Sequence, residues 1–75
     1  MTTSGGQGGI QIQVNGEPRT VPGGLTVSGL LLRLGLTPGH VAVEMDGGIV
    51  PRSRQAECPV PAGARLEIVH FVGGG

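Results

Sequence analysis

The sequence contains no lysine, tryptophan or tyrosine, and Phe71 is its one aromatic residue among 75 residues. Five arginines balance five acidic residues, so the formal net charge is zero. The chain therefore has neither a basic stripe nor a set of aromatic surfaces on which bases stack, and these are the usual physical supports of nucleic-acid binding. We expect no nucleic-acid partner.

Cysteine is also scarce, because Cys58 is the only one and cannot form a disulfide within the chain. A chain without disulfides favours a reducing compartment over secretion. No stretch approaches the roughly 18 apolar residues of a membrane span, and no charged-then-apolar leader opens the sequence. We therefore expect a cytoplasmic protein with no membrane association. Its length suits one small domain with a thin core.

Alternation of apolar and polar residues predicts several strands. Residues 10–14 alternate strictly, as in a half-buried strand. Asn15 and Gly16 follow and predict a tight hairpin, because both residues tolerate positive φ. The return strand and the later strands are predicted at residues 19–21, 40–45, 49–50 and 65–72.

A helix is predicted after the first hairpin, where apolar residues recur every three or four positions. Thr26 is the predicted N-cap, and Gly35 suits the left-handed position just past the helix end. We interpret Gly29, inside this helix, as a point of close packing on the sheet. The residues of the predicted buried face are Val27, Leu30, Leu31 and Leu34.

The order of these elements is a hairpin, one helix and three more strands. It predicts an α+β fold of the β-grasp type, in which one main helix packs on one face of a mixed four- to five-stranded sheet. Other α+β folds share this order. We place the domain at residues 10–72, between a flexible Gly-rich lead at residues 1–9 and a flexible glycine tail at residues 73–75.

The last predicted strand carries apolar residues on both faces. Leu66 and Ile68 share one face, whereas Val69 and Phe71 lie on the other. If the first pair meets the helix, the second pair points out from the uncovered side of the sheet. We interpret Val69, Phe71 and the adjoining Val72 as a surface that docks a partner protein. Alternatively, the irregular segment before this strand folds over them, or they belong to a minor core.

The sequence ends with Gly73, Gly74 and Gly75. Glycine lacks a Cβ and can enter a slot too narrow for other residues, and three extended residues reach about 10 Å. The α-carboxylate at the tip is ionised at neutral pH, so acyl chemistry requires its activation by another protein, most simply as an acyl-adenylate. A flexible linker or an expression remnant is the alternative. The position of the glycines directly after a strand favours the functional interpretation.

Three stretches carry a resemblance to a known family. "LEIVHFVGGG" at residues 66–75 resembles the C-terminus of the ThiS family, the sulfur-carrier proteins of the thiamine pathway. "VAVEMDGGIVPRS" at residues 41–53 is similar to the middle segment of that family. With "LTVSGLLLRLGL" at the helix, the likeness covers nearly all of residues 10–75. The Gly-rich lead and the pair Gly47-Gly48 depart from the family pattern.

The resemblance implies a ubiquitin-like β-grasp fold and a carrier rather than an enzyme. An E1-like adenylating enzyme would activate Gly75 with ATP and Mg²⁺, and the chain itself would bind no cofactor. A persulfide sulfur, supplied by a cysteine desulfurase or another donor, would displace AMP and leave a C-terminal thiocarboxylate. Thiazole synthase would receive that sulfur. On this likeness Gly75 is the acyl site, and Gly73 and Gly74 form the threading tail.

Related functions remain open at this point. The small subunit of molybdopterin synthase shares the fold and the tail, although its tails tend to approach Gly-Gly through proline. Carriers of other sulfur-transfer pathways and ubiquitin-like protein modifiers use the same activation of a terminal glycine. The product separates these classes, because a carrier forms a thiocarboxylate and a modifier forms an isopeptide bond.

The remaining reactive side chains give weaker signals. His40 and His70 lie far apart in sequence, and with one cysteine they do not form an ordinary zinc set. We interpret His70 as a rim or core histidine. Cys58, in a loop, is either an unreactive thiol, which its neighbours favour, or a reactive thiol or cross-link point to a partner. Arg52 and Arg54 are either solvated or pair with an acidic partner surface.

Overall fold

The computed structural model describes residues 9–71. The chain begins with an antiparallel hairpin of β1 (Gly9–Val14) and β2 (Glu17–Pro22). The turn between these strands has positive φ at both Asn15 (52°) and Gly16 (84°). This is the type I′ geometry that an Asn-Gly pair favours, and it matches the twist of the flanking strands. The predicted first hairpin is confirmed.

Five strands form one mixed sheet in the order β2-β1-β5-β3-β4. The last three strands are β3 (Val41–Met45), β4 (Gly48–Ile49) and β5 (Arg65–His70). The central strand β5 runs parallel to β1 and antiparallel to β3. The final strand of the domain is therefore held from both sides, and the predicted α+β architecture is confirmed.

The helix α1 (Val27–Arg33) packs against one face of this sheet. Leu30 and Leu31 are completely buried, as the apolar spacing predicted. The Gly29 N–H donates to Oγ1 of Thr26 at 3.2 Å, and Gly35 follows the helix with φ of 80°. Both predicted helix ends are thus confirmed. Strand residues that complete the core are Ile12, Val14, Val21, Val41, Val43, Leu66 and Ile68.

Gly29 has different neighbours from those predicted. A Cβ at this position would lie 3.4 Å from Oγ1 of Thr26 and 3.6 Å from Cδ2 of Leu25. No atom of the sheet comes within 4 Å of it. The interpretation that Gly29 allows close packing on the sheet is therefore wrong, because this position faces the start of its own helix.

The irregular segment between β4 and β5 covers the start of α1. It contains a 3-10 helix (Arg52–Arg54), and its backbone supplies acceptors for two helix N–H groups. The Val27 N–H donates to the Cys58 carbonyl at 2.8 Å, and the Ser28 N–H donates to the Gln55 carbonyl at 3.0 Å. Since the first N–H groups of a helix have no partner within it, this segment acts as a backbone cap.

Candidate functional site

The open face of the sheet, opposite α1, carries the predicted docking residues. Val69 is 60% exposed and Phe71 is 63% exposed, whereas Leu66 and Ile68 on the other face of β5 are buried. The predicted division of this strand into two faces is confirmed. The irregular segment packs on the helix start and leaves Val69 and Phe71 uncovered. The alternative in which it folds over them is wrong.

Strand pairing brings two more apolar residues to this face. Ala42 lies opposite Val69 in the β3–β5 register, and Ile49 lies opposite Glu44 in the β3–β4 register. Residues that face each other across paired strands share one side of a sheet. Ile49 is 76% exposed. We call the four residues of this surface the apolar strip: Ala42, Ile49, Val69 and Phe71.

Hydrogen bonds fix β5, which carries Val69 and leads directly into Phe71. The paired residues of β1 and β5 end at Val14 and Leu66, and the Asn15 N–H makes one further backbone bond to the Leu66 carbonyl at 2.8 Å. The side chain of Asn15 continues this pairing to Ile68. The Nδ2 group of Asn15 donates to the Ile68 carbonyl at 3.1 Å, and its Oδ1 accepts from the Ile68 N–H at 2.8 Å. Sequence reasoning assigned Asn15 to a turn and missed this second role.

Phe71 is held by the opposite neighbour of β5. Its N–H donates to the His40 carbonyl at 3.0 Å, so the pairing with the β3 side extends past the end of the strand at His70. The last described residue is therefore hydrogen-bonded to the β3 side of the sheet, and in sequence it precedes Val72 and the three glycines. His70 is exposed, which agrees with a rim position and not with a core position.

The remaining predicted docking residue, Val72, and the tail residues Gly73, Gly74 and Gly75 lie outside the described residues. Their roles in docking, threading and acyl transfer stay predictions. The same holds for residues 1–8 of the predicted flexible lead. The described chain begins one residue before the predicted domain start, since β1 includes Gly9.

Other polar residues make local contacts away from the open face. Nε of Arg54 lies 3.9 Å from Oε1 of Glu57, and both side chains are exposed, a pairing that contributes little to stability. Cys58 is half-buried. Within residues 9–71, no three His, Cys, Asp or Glu residues are grouped so that they could hold a metal ion. No helix in this range is long and apolar enough to cross a membrane.

Comparison with known protein families connects this geometry to a class of protein. The sequence model of the ThiS family matches residues 12–75, a range that includes the apolar strip and the glycine tail. The chain belongs to the ThiS family. ThiS proteins are sulfur carriers of thiamine biosynthesis, and the resemblance identified from the sequence is confirmed.

Solved ThiS structures have the same fold. The crystal structure of the thiamine biosynthesis protein ThiS from Geobacter metallireducens superposes with a TM-score of 0.75 at 35% identity, over 88% of this chain and 100% of that one. A solution NMR structure of a thiamine biosynthesis protein from the same organism gives a TM-score of 0.72 at 35% identity, covering 88% of each chain. The predicted ubiquitin-like β-grasp fold is confirmed.

Two curated relatives of this ThiS-family chain are longer proteins named thiazole synthase. The protein of Magnetococcus marinus is 39% identical over 66 residues, and that of Paramagnetospirillum magneticum is 44% identical over 66 residues. The match covers 88% of this chain but spans only 20% of each relative. In both relatives a ThiS-like region therefore belongs to a polypeptide about five times as long.

Proposed function

We propose that this chain carries sulfur to thiazole synthase as a thiocarboxylate on Gly75. The observation that carries the proposal is the match of the ThiS family model, which extends through the glycine tail. In sequence this tail follows Val69 and Phe71, which are exposed on the sheet face that the helix leaves uncovered. The exposed face is suited to docking a partner protein, and the glycine tail is suited to delivering the C-terminal group to that partner. The chain acts as a co-substrate of other enzymes and not as a catalyst.

Loading begins with activation of the Gly75 carboxylate. The adenylating enzyme uses ATP and Mg²⁺ to form a C-terminal acyl-adenylate and releases pyrophosphate. The terminal sulfur of a protein persulfide attacks the acyl carbon and displaces AMP. A thiol then cleaves the sulfur–sulfur bond of the resulting acyl disulfide, which leaves the thiocarboxylate on Gly75. A cysteine desulfurase is the proposed source of the persulfide.

The folded domain positions the C-terminal glycines for this chemistry. Hydrogen bonds between Asn15 and Ile68, and between the Phe71 N–H and the His40 carbonyl, hold the last strand and the residue after it to their neighbours. The apolar strip gives the enzyme a surface to bind, and burial of its exposed side chains supplies affinity. The glycines, without side chains, then enter the active site of the enzyme.

Thiazole synthase is the proposed recipient of the sulfur because two relatives of that name contain a region similar to this chain. Two proteins of that name each contain a region 39% or 44% identical to this chain. A carrier and the enzyme that consumes its sulfur must meet repeatedly, and placing both in one polypeptide raises their effective concentration. This supports thiazole synthase over the recipients of other sulfur pathways.

Intact-protein mass spectrometry tests the proposal. The chain is incubated with ATP, Mg²⁺, its cognate adenylating enzyme, a cysteine desulfurase and cysteine. We expect a mass gain equal to the replacement of one oxygen by sulfur, localised to Gly75. Addition of thiazole synthase and its substrates should return the mass to its starting value as the thiazole forms.

The matched control is a chain lacking Gly75, which should gain no mass. An unchanged mass of the intact chain, with an adenylating enzyme shown to form acyl-adenylate on another carrier, would overturn the proposal. An isopeptide-linked product in place of the thiocarboxylate would instead identify a protein modifier.

A further inference from the structure

The guanidinium of Arg52 lies flat against a glycine of the domain. A Cβ built on Gly39 would lie 3.2 Å from both Cζ and Nη2 of Arg52 and 3.3 Å from Nη1. Because these three atoms are nearly equidistant, the plane of the guanidinium faces the position that the Cβ would take. Carbon atoms in ordinary contact are about 3.5–4.0 Å apart, so a side chain here would push the guanidinium away. Glycine at this position therefore gives the arginine its place.

The charge of Arg52 has no partner among residues 9–71. The ion pair found in this range joins Arg54 to Glu57, and Arg52 is exposed. A guanidinium whose face is covered still presents N–H groups along its edges, where a carboxylate can accept two parallel hydrogen bonds. Arg52 is thus a positioned cation that is available to an anion.

Arg52 lies beside the point at which the chain leaves the described residues. The Phe71 N–H donates to the His40 carbonyl at 3.0 Å, and Gly39 is the residue before His40. Gly39, Arg52 and Phe71 line one surface depression, and among its lining residues, all within the described chain, Arg52 alone is charged. Arg65 begins β5 and so lies at the other end of that strand.

Four residues, 72–75, follow Phe71 in the sequence. They reach about 13 Å when extended, and glycine adopts the conformations that a turn back towards the domain requires. The depression has a volume of about 270 Å³, less than the roughly 300–1,000 Å³ of typical ligand pockets. A short glycine segment therefore suits it better than a cofactor does.

We propose that the glycine tail folds back into this depression and that the α-carboxylate of Gly75 binds Arg52. This inference rests on the proposed function for the free carboxylate of Gly75, which is ionised at neutral pH. We call this contact the tail clamp. An enzyme that activates Gly75 must open the clamp, so its apparent affinity is reduced by the fraction of chains that are open. Replacement of one carboxylate oxygen by sulfur retains the negative charge, so the loaded tail is held in the same way.

NMR relaxation of the chain alone tests the tail clamp. The backbone order parameter of Gly74 is measured for wild type and Arg52→Gln, without ATP or any enzyme. Values below about 0.6 mark flexible backbone, so we expect wild type to lie above this limit and Arg52→Gln below it. Added salt should lower the wild-type value, because the pair is exposed. The matched control, Arg54→Gln, removes the arginine that pairs with Glu57 and should behave as wild type.

Two further variants separate the clamp from other effects of Arg52. A semisynthetic chain with a carboxamide at Gly75 keeps the arginine but lacks the anion, and it should lower the order parameter of Gly74 as Arg52→Gln does. The carboxamide should also shift the Nε–Hε resonance of Arg52 and leave that of Arg54 unchanged. Gly39→Ala retains both charges but displaces the guanidinium, and it should likewise lower the order parameter.

Two results would overturn the inference. The first is an order parameter of Gly74 that is the same in wild type, Arg52→Gln and the carboxamide chain. The second is a resonance shift of Arg52 that grows with protein concentration, because it would assign the arginine to the tail of a second copy. Neither result concerns the loading of Gly75, which mass spectrometry measures separately, so failure of the clamp and failure of the proposed function are distinguishable.

Discussion

The side-chain amide of Asn15 pairs with both backbone polar groups of Ile68, donating at 3.1 Å and accepting at 2.8 Å, although the two residues are 53 positions apart. Asn15 also adopts the positive φ of the first hairpin turn. One residue therefore forms a local turn and extends the β1–β5 pairing to Ile68, one step beyond the backbone bond in which the Asn15 N–H donates to the Leu66 carbonyl. The strand that leads to the candidate site depends on a residue near the start of the domain.

The first prediction concerns this pairing. Asn15→Gly retains the backbone conformation, because glycine adopts positive φ readily, but removes both hydrogen bonds. Loss of two partly buried bonds should lower the free energy of unfolding by about 2 kcal/mol. Urea unfolding followed by far-UV circular dichroism measures the change, since the chain has no tryptophan.

Asp46→Gly is the matched control for this variant. Asp46 has the same φ of 52°, and its side chain accepts a single exposed bond from the Arg65 N–H. Its replacement should cost about 1 kcal/mol or less. Equal losses in the two variants would show that the bonds to Ile68 contribute nothing beyond an ordinary turn.

A second prediction compares neighbouring leucines of α1. Leu31 is fully buried, whereas Leu32 is 66% exposed. Leu31→Ala removes buried methyl groups and leaves a cavity, with an expected loss of about 2–5 kcal/mol. Leu32→Ala should change stability by about 0.5 kcal/mol or less. Thermal unfolding of both variants provides the comparison, and a similar melting temperature for the two would contradict the assigned helix face.

A third prediction concerns two glycines of the helix region. Gly29→Ala introduces a methyl group at ordinary contact distances of 3.4 and 3.6 Å and should stabilise the domain by about 0.5–1 kcal/mol, because alanine is the better helix former. Gly35→Ala forces a positive φ of 80° on alanine and should destabilise it by about 1 kcal/mol. Melting temperatures that shift in the same direction would contradict this assignment.

Local patterns predicted much of this fold. The spacing of Leu30 and Leu31 identified the buried face of the helix, and the alternation over residues 65–72 placed Phe71 on the open side. These inferences succeed because side-chain direction follows from the period of each element. The Asn15–Gly16 turn was equally predictable from the sequence, because its conformation depends on the two residues themselves.

Features that depend on the strand register were not predictable. Ile49 joins the apolar strip, and Glu44 meets Glu67, only because strands distant in sequence pair in a particular alignment. A shift of one residue would send these side chains to the other face. The neighbours of Gly29 were misjudged for a related reason: periodicity shows which face a residue occupies but not which atoms lie there.

Phe71 and Leu32 offer a matched pair for testing the candidate docking face. They are 63% and 66% exposed, so truncation of either removes a similar share of solvent-facing apolar surface. Phe71 lies on the open sheet face, and Leu32 lies on α1, which covers the opposite face. The fixed partner of Phe71 is the His40 carbonyl, which it reaches through its backbone N–H, and alanine retains that bond.

The fourth prediction follows from this comparison. Phe71→Ala should leave the melting temperature nearly unchanged but weaken binding to the adenylating enzyme about tenfold or more, since a large aromatic side chain buried at an interface contributes much of its affinity. Leu32→Ala should bind as wild type. Calorimetric titration of both variants against the enzyme measures the difference. Equal affinities would show that the enzyme does not contact the apolar strip at Phe71. Of the predicted site, the glycine tail would then be the part that the enzyme recognises.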